Sequence, residues 1–408
     1  MVALMQNPAV LSAMVGNHNV LFNLDDRQLH LLNATGAVAW ECLAPTATPE
    51  GLAVQLAEAF CVDVLDVRSD LDSLLSSFRS TGLCHPVDAG AAIDRSIERP
   101  LPRSETSEQK VSLDRRSPRT LLGPFMALSV PVTVTVDDVS LAADLDRILD
   151  PLRGRLDDLE GVSAMVQIMI ESPGLDDVGQ SDGESPTWSI HVEGKRTQRF
   201  SSRDRLIRQV VAEVNGGPLQ YLDDAVVFHS AAAEFDAGVV LFPGVSNAGK
   251  STLITQLVHR GQKYVTDEAA MVRVGTRSVE SFTKSITLEA EGQRVVGGLV
   301  SGLVPSATTV DVDPRLVGAG RLSAGGNVAA MIFPTYQENA STQLTELAPF
   351  DAFRSLLANA FTFDRVGQRA FDTIVDLANE VPAFRLQHDG DADHLEVIEA
   401  TVALLGDV

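Results

Sequence analysis

AGVVLFPGVSNAGKSTLITQLVHRG, residues 237–261, is the stretch whose reading decides the fold. Within it, Gly244-Val245-Ser246-Asn247-Ala248-Gly249-Lys250-Ser251 fits GxxxxGK[ST], the spacing of a phosphate-cradling loop. Gly238-Val239-Val240-Leu241-Phe242 before it reads as a fully buried strand. Leu253, Ile254, Leu257 and Val258 after it fall on one face of a helix that Gly261 closes. Strand, glycine loop, helix is the order the chemistry needs. Glycines let backbone N–H groups turn onto phosphate oxygens with no Cβ in the way, and the helix N-terminus adds partial positive charge. Lys250 has the reach for β- and γ-phosphates, and the Ser251 hydroxyl can ligate Mg2+. The expected nucleotide-binding set runs from Gly244 to Ser251 and includes Thr252, with ATP and Mg2+ as the expected cofactors.

Such a loop specifies a nucleotide and leaves the reaction open, so the flanks carry the next step. Upstream lies Val226-Val227-Phe228-His229-Ser230-Ala231-Ala232-Ala233, with His229 read as standing at a strand end. Downstream, the strand Lys263-Tyr264-Val265-Thr266 delivers the pair Asp267-Glu268. Phe282–Leu288 then carries Lys284, and Gly318-Ala319-Gly320-Arg321 precedes another buried strand, Ala329–Pro334. Lys284 and Arg321 are candidates to neutralise a transferred phosphate, against the plainer reading of two surface cations. The tail reads as helix 350–361, helix 365–379, strand 384–387 and helix 392–405.

Residues 120–220 form an accessory region with no catalytic pattern of its own. Strands are expected at 130–136, 165–170 and 188–192, and helices at 139–152 and 203–215, with an acidic loop at 174–184. Residues 88–119 read as a flexible linker, rich in Ser, Pro, Arg and Glu without apolar periodicity. The first unit, residues 1–87, shows strands at 20–24 and 28–32 joined by hairpin residues. Three helices follow: one after Asn33 and Thr35, one opened by Thr48-Pro49-Glu50, and one over 64–80 that Gly82 ends. A short exit strand is expected near Leu83.

That order, carried by LHLLNATGAVAWECL, TPEGLAVQLAEAF and VRSDLDSLLSSFRSTGLC, resembles the PqqD family of small winged-helix domains over residues 18–85. The resemblance implies recognition of a precursor's leader peptide. The expected docking mode is strand addition at Val20–Leu24, with the third helix as the second wall.

The array of His229-Ser230, the phosphate loop and Asp267-Glu268 resembles the HPr kinase/phosphorylase superfamily and its relatives, which are related to PEP carboxykinases. The resemblance implies Asp267 as general base for a substrate hydroxyl and His229 as the group that positions charge near it. It implies Ser251, Asp267 and Glu268 on the metal side. The family usually has Asp-Asp where this chain has Asp-Glu, and its glycine-rich phosphorylase signature is missing here. That departure weakens HPr as the substrate. Relatives are often oligomers, so a homo-oligomer is an expectation as well.

The expected fold class is α/β, α+β overall: a winged-helix unit, then a mixed-sheet phosphate-loop domain over 120–408 whose nucleotide-binding core spans 221–408. The expected function is an ATP-dependent kinase of a ribosomally made peptide. The alternatives are a related kinase of another protein or small molecule, and a nucleotide-binding switch without transfer chemistry. A net charge of −23 over 408 residues argues against a nucleic-acid or anionic-membrane surface, which needs a basic face. Neither a signal-peptide pattern nor a membrane span is visible, and Cys42, Cys61 and Cys84 match no metal or redox spacing. They read as reduced, mostly buried thiols in a cytoplasmic protein.

Overall fold

The structure is a computed structural model that describes residues 3–43, 46–87, 119–154, 166–172, 187–193, 195–246, 248–390 and 393–406. The architecture is mixed α/β. The chain divides into two compact units. The first is described over residues 3–87 and takes in 348–353 and 374–379; the rest, from 119 onward, belongs to the second. Apart from Arg119, the expected linker lies outside the described residues, as does the acidic loop 174–184.

In the first unit the chain runs β1 (Leu4–Gln6), β2 (Val10–Val15), β3 (His18–Asn23), β4 (Gln28–Leu32), α1 (Ala34–Cys42), β5 (Thr46–Ala47), α2 (Pro49–Phe60), α3 (Val64–Ser80) and β6 (Cys84–Pro86). Each helix starts where a polar side chain meets an orphan amide. Asn33 accepts from Gly36 N at 2.7 Å, Thr48 from Gly51 N at 3.1 Å, and Asp63 from Leu65 N at 2.8 Å. Leu71, Leu75 and Phe78 of α3 bury one stripe against Leu21, Trp40, Leu52 and Leu56.

Strands β1 and β2 are additions to the sequence reading, and they change it. Strand β3 is the middle of a three-stranded antiparallel sheet, paired with β2 on one side and β4 on the other. The stretch Val20–Leu24, expected to receive an added strand, therefore has its backbone already engaged, and the outer strands are β2 and β4. The short β2 escaped because its alternation is blurred: Leu11 and Val15 share the buried face, while Val10 and the exposed Met14 put apolar side chains on the other face as well. The thiols also differ from expectation: Cys84 is buried, Cys42 half-buried and Cys61 exposed.

The second unit opens with β7 (Thr120–Ala127), β8 (Val130–Val136), α4 (Val139–Leu149), a 3-10 turn Asp150–Leu152, β9 (Val166–Glu171), β10 (Trp188–Val192), β11 (Gln198–Phe200) and α5 (Arg203–Gly216). The five strands lie in the order β11-β10-β9-β8-β7. Val132, Val134 and Val136 alternate inward, and Leu141, Leu145, Leu206 and Val210 of the two helices pack on that face.

The chain continues through β12 (Ala225–Phe235), β13 (Gly238–Pro243), α6 (Lys250–His259), β14 (Lys263–Thr266), β15 (Ala269–Arg273), β16 (Ser278–Glu280), β17 (Ile286–Leu288), α7 (Ala290–Val296), β18 (Val310–Val312), β19 (Gly325–Tyr336), β20 (Gln343–Glu346), α8 (Pro349–Ala358), α9 (Phe363–Val366), α10 (Gln368–Glu380), β21 (Ala383–His388) and α11 (Asp393–Gly406). The helix expected over 365–379 breaks at Gly367, whose φ of 61° is left-handed. Strand β12 is the template of this half. It pairs antiparallel with β13 along one edge, and with β15 and then β14 along the other. Strand β13 also pairs parallel with β19, so both its edges are filled and its side chains are buried.

Candidate nucleotide and phosphoryl-transfer site

Strand register gathers the candidate residues. His229 pairs with Ala269 and Ala232 with Thr266, so the two residues linking β14 to β15, Asp267 and Glu268, lie opposite Ser230–Ala231. Ser230 N donates to Glu268 O at 3.0 Å. Across the other edge of β12, Ser230 pairs with Pro243, and Gly244 N donates to His229 O at 3.2 Å. One dipeptide, His229-Ser230, thus has the start of the phosphate loop on one side and the acidic pair on the other. His229 is the fifth residue of the eleven in β12, not a strand end as expected. Its ring lies 5.4 Å from that of Phe361.

The loop turns into α6 at Gly249, whose φ of 77° suits a residue without Cβ. No side chain caps α6, so its first-turn amides and positive end are available to an anion. The Lys250 ammonium folds back to donate to Gly244 O at 2.8 Å and Val245 O at 2.7 Å. Val245 and Ser246 are exposed and Ala248 is buried, while Asn247 lies outside the described residues. Thr252 is turned from the loop toward α7, where a Cβ added at Gly292 would come within 2.7 Å of its hydroxyl.

The densest polar cluster surrounds Asp267. Its Oδ2 accepts from Ser251 Oγ at 3.0 Å and, more distantly, from Thr287 N at 3.4 Å. Its Oδ1 accepts from Tyr264 OH at 3.0 Å and is 2.7 Å from Lys284 Nζ. Lys284 Nζ is also 3.3 Å from Glu268 Oε2. Lys284 is no surface cation, for its side chain is 3% exposed. Burial works against its charge, and the carboxylates of Asp267 and Glu268 more than offset that, raising its pKa above the ordinary value. Arg321 is placed differently. Its carbonyl accepts from Tyr264 N at 2.9 Å, its side chain is exposed, and no hydrogen bond or ion pair among the described residues joins that side chain to the Asp267 cluster.

Tyr264 and Thr287, read from sequence only as strand and loop residues, also belong to the site. Tyr264 is wholly buried in β14, and its hydroxyl bridges Asp267 Oδ1 and the Lys284 carbonyl, 3.0 Å from each. A tyrosine in a buried strand needs a partner for its hydroxyl, and that was the available signal.

Residues 19–83 match the family model for coenzyme PQQ synthesis protein D (PqqD). The PqqD match starts inside β3 and ends beyond α3, leaving β1, β2 and β6 outside it. Among solved structures, the Hpr(Ser) kinase/phosphatase from Coxiella burnetii matches at 14% identity, covering 44% of this chain and 94% of that one, with a TM-score of 0.23. No curated protein matches the chain. Among the described residues no helix is long and apolar enough to cross a membrane.

The donor set fits a polyphosphate with a hard cation. The Ser251 hydroxyl hydrogen is committed to Asp267, which leaves the Ser251 oxygen lone pairs for a metal. Among the described residues no three His, Cys, Asp or Glu side chains gather into a metal cage. Mg2+ does not require one, since it commonly takes one or two protein oxygens and completes its shell with water and phosphate.

The electrostatics give a first prediction. Burial lowers the Lys250 pKa to about 8, with Asp267 and Glu268 pulling the other way. Above pH 8 most free protein carries a neutral lysine, and a phosphate that favours the ammonium must draw a proton from solvent. Nucleotide affinity is expected to fall as the pH rises from 8, with net proton uptake on binding. Calorimetry above pH 8 in two buffers of different ionisation enthalpy measures this; equal heats in both would contradict it. His229 shifts down as well, through burial first and the Lys250 charge second, with Glu268 opposing.

Proposed function

We propose that this chain is an ATP-dependent phosphotransferase acting on a ribosomally made precursor peptide, whose leader the PqqD-like unit holds. The observation that carries the transferase half is the convergence of Lys250, Ser251, Asp267, Glu268 and His229 around the uncapped N-terminus of α6. The loop amides and Lys250 bind phosphate, the Ser251 oxygen serves the metal side, the acidic pair stands next to it with Asp267 holding Ser251 and Lys284 in place, and His229 lends a neutral polar ring beside the reacting group. Mg2+, when bound, supplies positive charge against the transferring phosphoryl group. In this reading residues 1–87 are the recognition domain, 88–119 a tether, and 120–408 the kinase domain.

The peptide half rests on the PqqD match and on an open strand edge. Strand β4 is an outer strand of its sheet, and Leu31 on it is 52% exposed. An extended leader would add there, with backbone hydrogen bonds giving affinity and Leu31 an apolar contact. Leu31→Asp is expected to raise KM for a full-length precursor about tenfold and leave kcat unchanged, because the chemistry lies elsewhere. Equal KM values for the two proteins would remove β4 from recognition. The direct test of the reading is ADP release from Mg·ATP with and without candidate precursor peptides. Peptide-stimulated release is expected, and release indifferent to every peptide would favour a different acceptor.

A further inference from the structure

We infer that Glu268, rather than Asp267, takes the proton from the acceptor hydroxyl. The inference rests on the phosphotransferase reading and assigns one role within it. A proton acceptor needs a lone pair that the acceptor can reach. A carboxylate has about four such sites, and Asp267 has four donors on them: Lys284 Nζ and Tyr264 OH on Oδ1, Ser251 Oγ and the more distant Thr287 N on Oδ2. Its side chain is 2% exposed.

The donors are themselves fixed. Thr283 Oγ1 donates to Pro151 O at 3.0 Å and Ser285 Oγ to Ile148 O at 2.6 Å, so the end of α4 and its 3-10 turn grip the backbone on both sides of Lys284. Lys284 Nζ also donates to Ser285 O at 3.0 Å. The accessory region, which carries no catalytic pattern of its own, thereby helps to keep Asp267 Oδ1 engaged.

Glu268 differs on each count. Its side chain is 52% exposed, Oε2 has the single longer contact to Lys284 at 3.3 Å, and no donor among the described residues meets Oε1. Its backbone carbonyl accepts from Ser230 N at 3.0 Å, next to His229, whose own carbonyl accepts from Gly244 N of the loop at 3.2 Å, and its charge is felt at both His229 and Lys250. In the step assigned to it, the acceptor O–H proton passes to Glu268 Oε1. The acceptor oxygen bonds to the terminal phosphorus of ATP, and the bond from that phosphorus to the bridging oxygen breaks with its electron pair leaving on ADP. Asp267 keeps the Ser251 hydroxyl and Lys284 in place.

The test uses the full chain with Mg·ATP and water as the acceptor, so no peptide need be known. Single-turnover ADP release, Mg·ATP affinity by calorimetry and the thermal midpoint are read on the same preparations. Glu268→Gln is expected to slow release about a hundredfold or more with affinity and midpoint unchanged, and Glu268→Asp to restore part of the rate. Asp267→Asn is expected to lower both the midpoint and the affinity. Release within tenfold of wild type in Glu268→Gln would overturn the assignment. So would an Asp267→Asn protein that keeps midpoint and affinity and loses only the rate. Wild-type protein that binds Mg·ATP and releases no ADP either with water or with any candidate precursor peptide would instead overturn the phosphotransferase reading, and the role of Glu268 with it.

Discussion

Lys250→Ala is expected to lose phosphoryl transfer by about a thousandfold or more, the upper range for removing one donor aimed at developing charge. In the structure its ammonium spans Gly244 O and Val245 O at the mouth of the loop, and on the proposed reading a β/γ-phosphate would take their place. Nucleotide affinity should fall as well, because the loop amides remain and the cation does not. Fold stability should hold: alanine is a good residue for the first turn of α6, and burial already disfavours the lysine's charge. Lys250→Arg should not rescue, since a planar guanidinium cannot take the place of a compact ammonium whose surroundings leave it 6% exposed. The measurements are single-turnover transfer, calorimetric affinity and the unfolding midpoint. A variant with wild-type turnover would remove the phosphate-loop assignment.

Lys284→Met should instead act on stability. It takes the cation away from Asp267 and leaves a carboxylate 2% exposed without its counter-charge. Breaking a buried pair from one side costs about 3–5 kcal/mol, a drop on the order of 10 °C in the midpoint of the second unit. The double variant Lys284→Met with Asp267→Asn should recover part of that loss, because no unpaired charge is left behind. The pH dependence has a defined sign. The Lys284 pKa is raised on folding, so its contribution is whole below the ordinary value of 10.5 and is lost as the pH climbs through the raised one. An unchanged midpoint in Lys284→Met would mean that the pair is not the anchor of the acidic cluster.

The parts of the chain that sequence made legible are those whose signal is local. The cap Thr48, the stripe of α3, the buried strand β13 and the glycine turn into α6 are each set by residues a few positions apart, and each is found where its pattern put it. The failures are of pairing and depth. Nothing local says that β2 covers one edge of β3, so the expected docking strand turned out to be the central one. Lys284 looked like a surface cation because lysine usually is one. Its burial depends on Asp267, seventeen positions away, and on carbonyls at Ile148 and Pro151, more than a hundred away. The order of the acidic pair was legible, whereas the different environments of its two carboxylates arise only when β14 and β15 share β12.

The central claim is that the loop at 244–251 and the acidic pair at 267–268 move a phosphoryl group onto a peptide presented by the PqqD-like unit. Its most direct test is intact-mass analysis of a candidate precursor peptide after incubation with the full chain and Mg·ATP, beside the same reaction with Lys250→Ala. The account predicts the added mass of a phosphate on the peptide with the native chain and none with the variant. ATP consumed to ADP while the peptide mass stays unchanged, across precursors that bind the first unit, would contradict it.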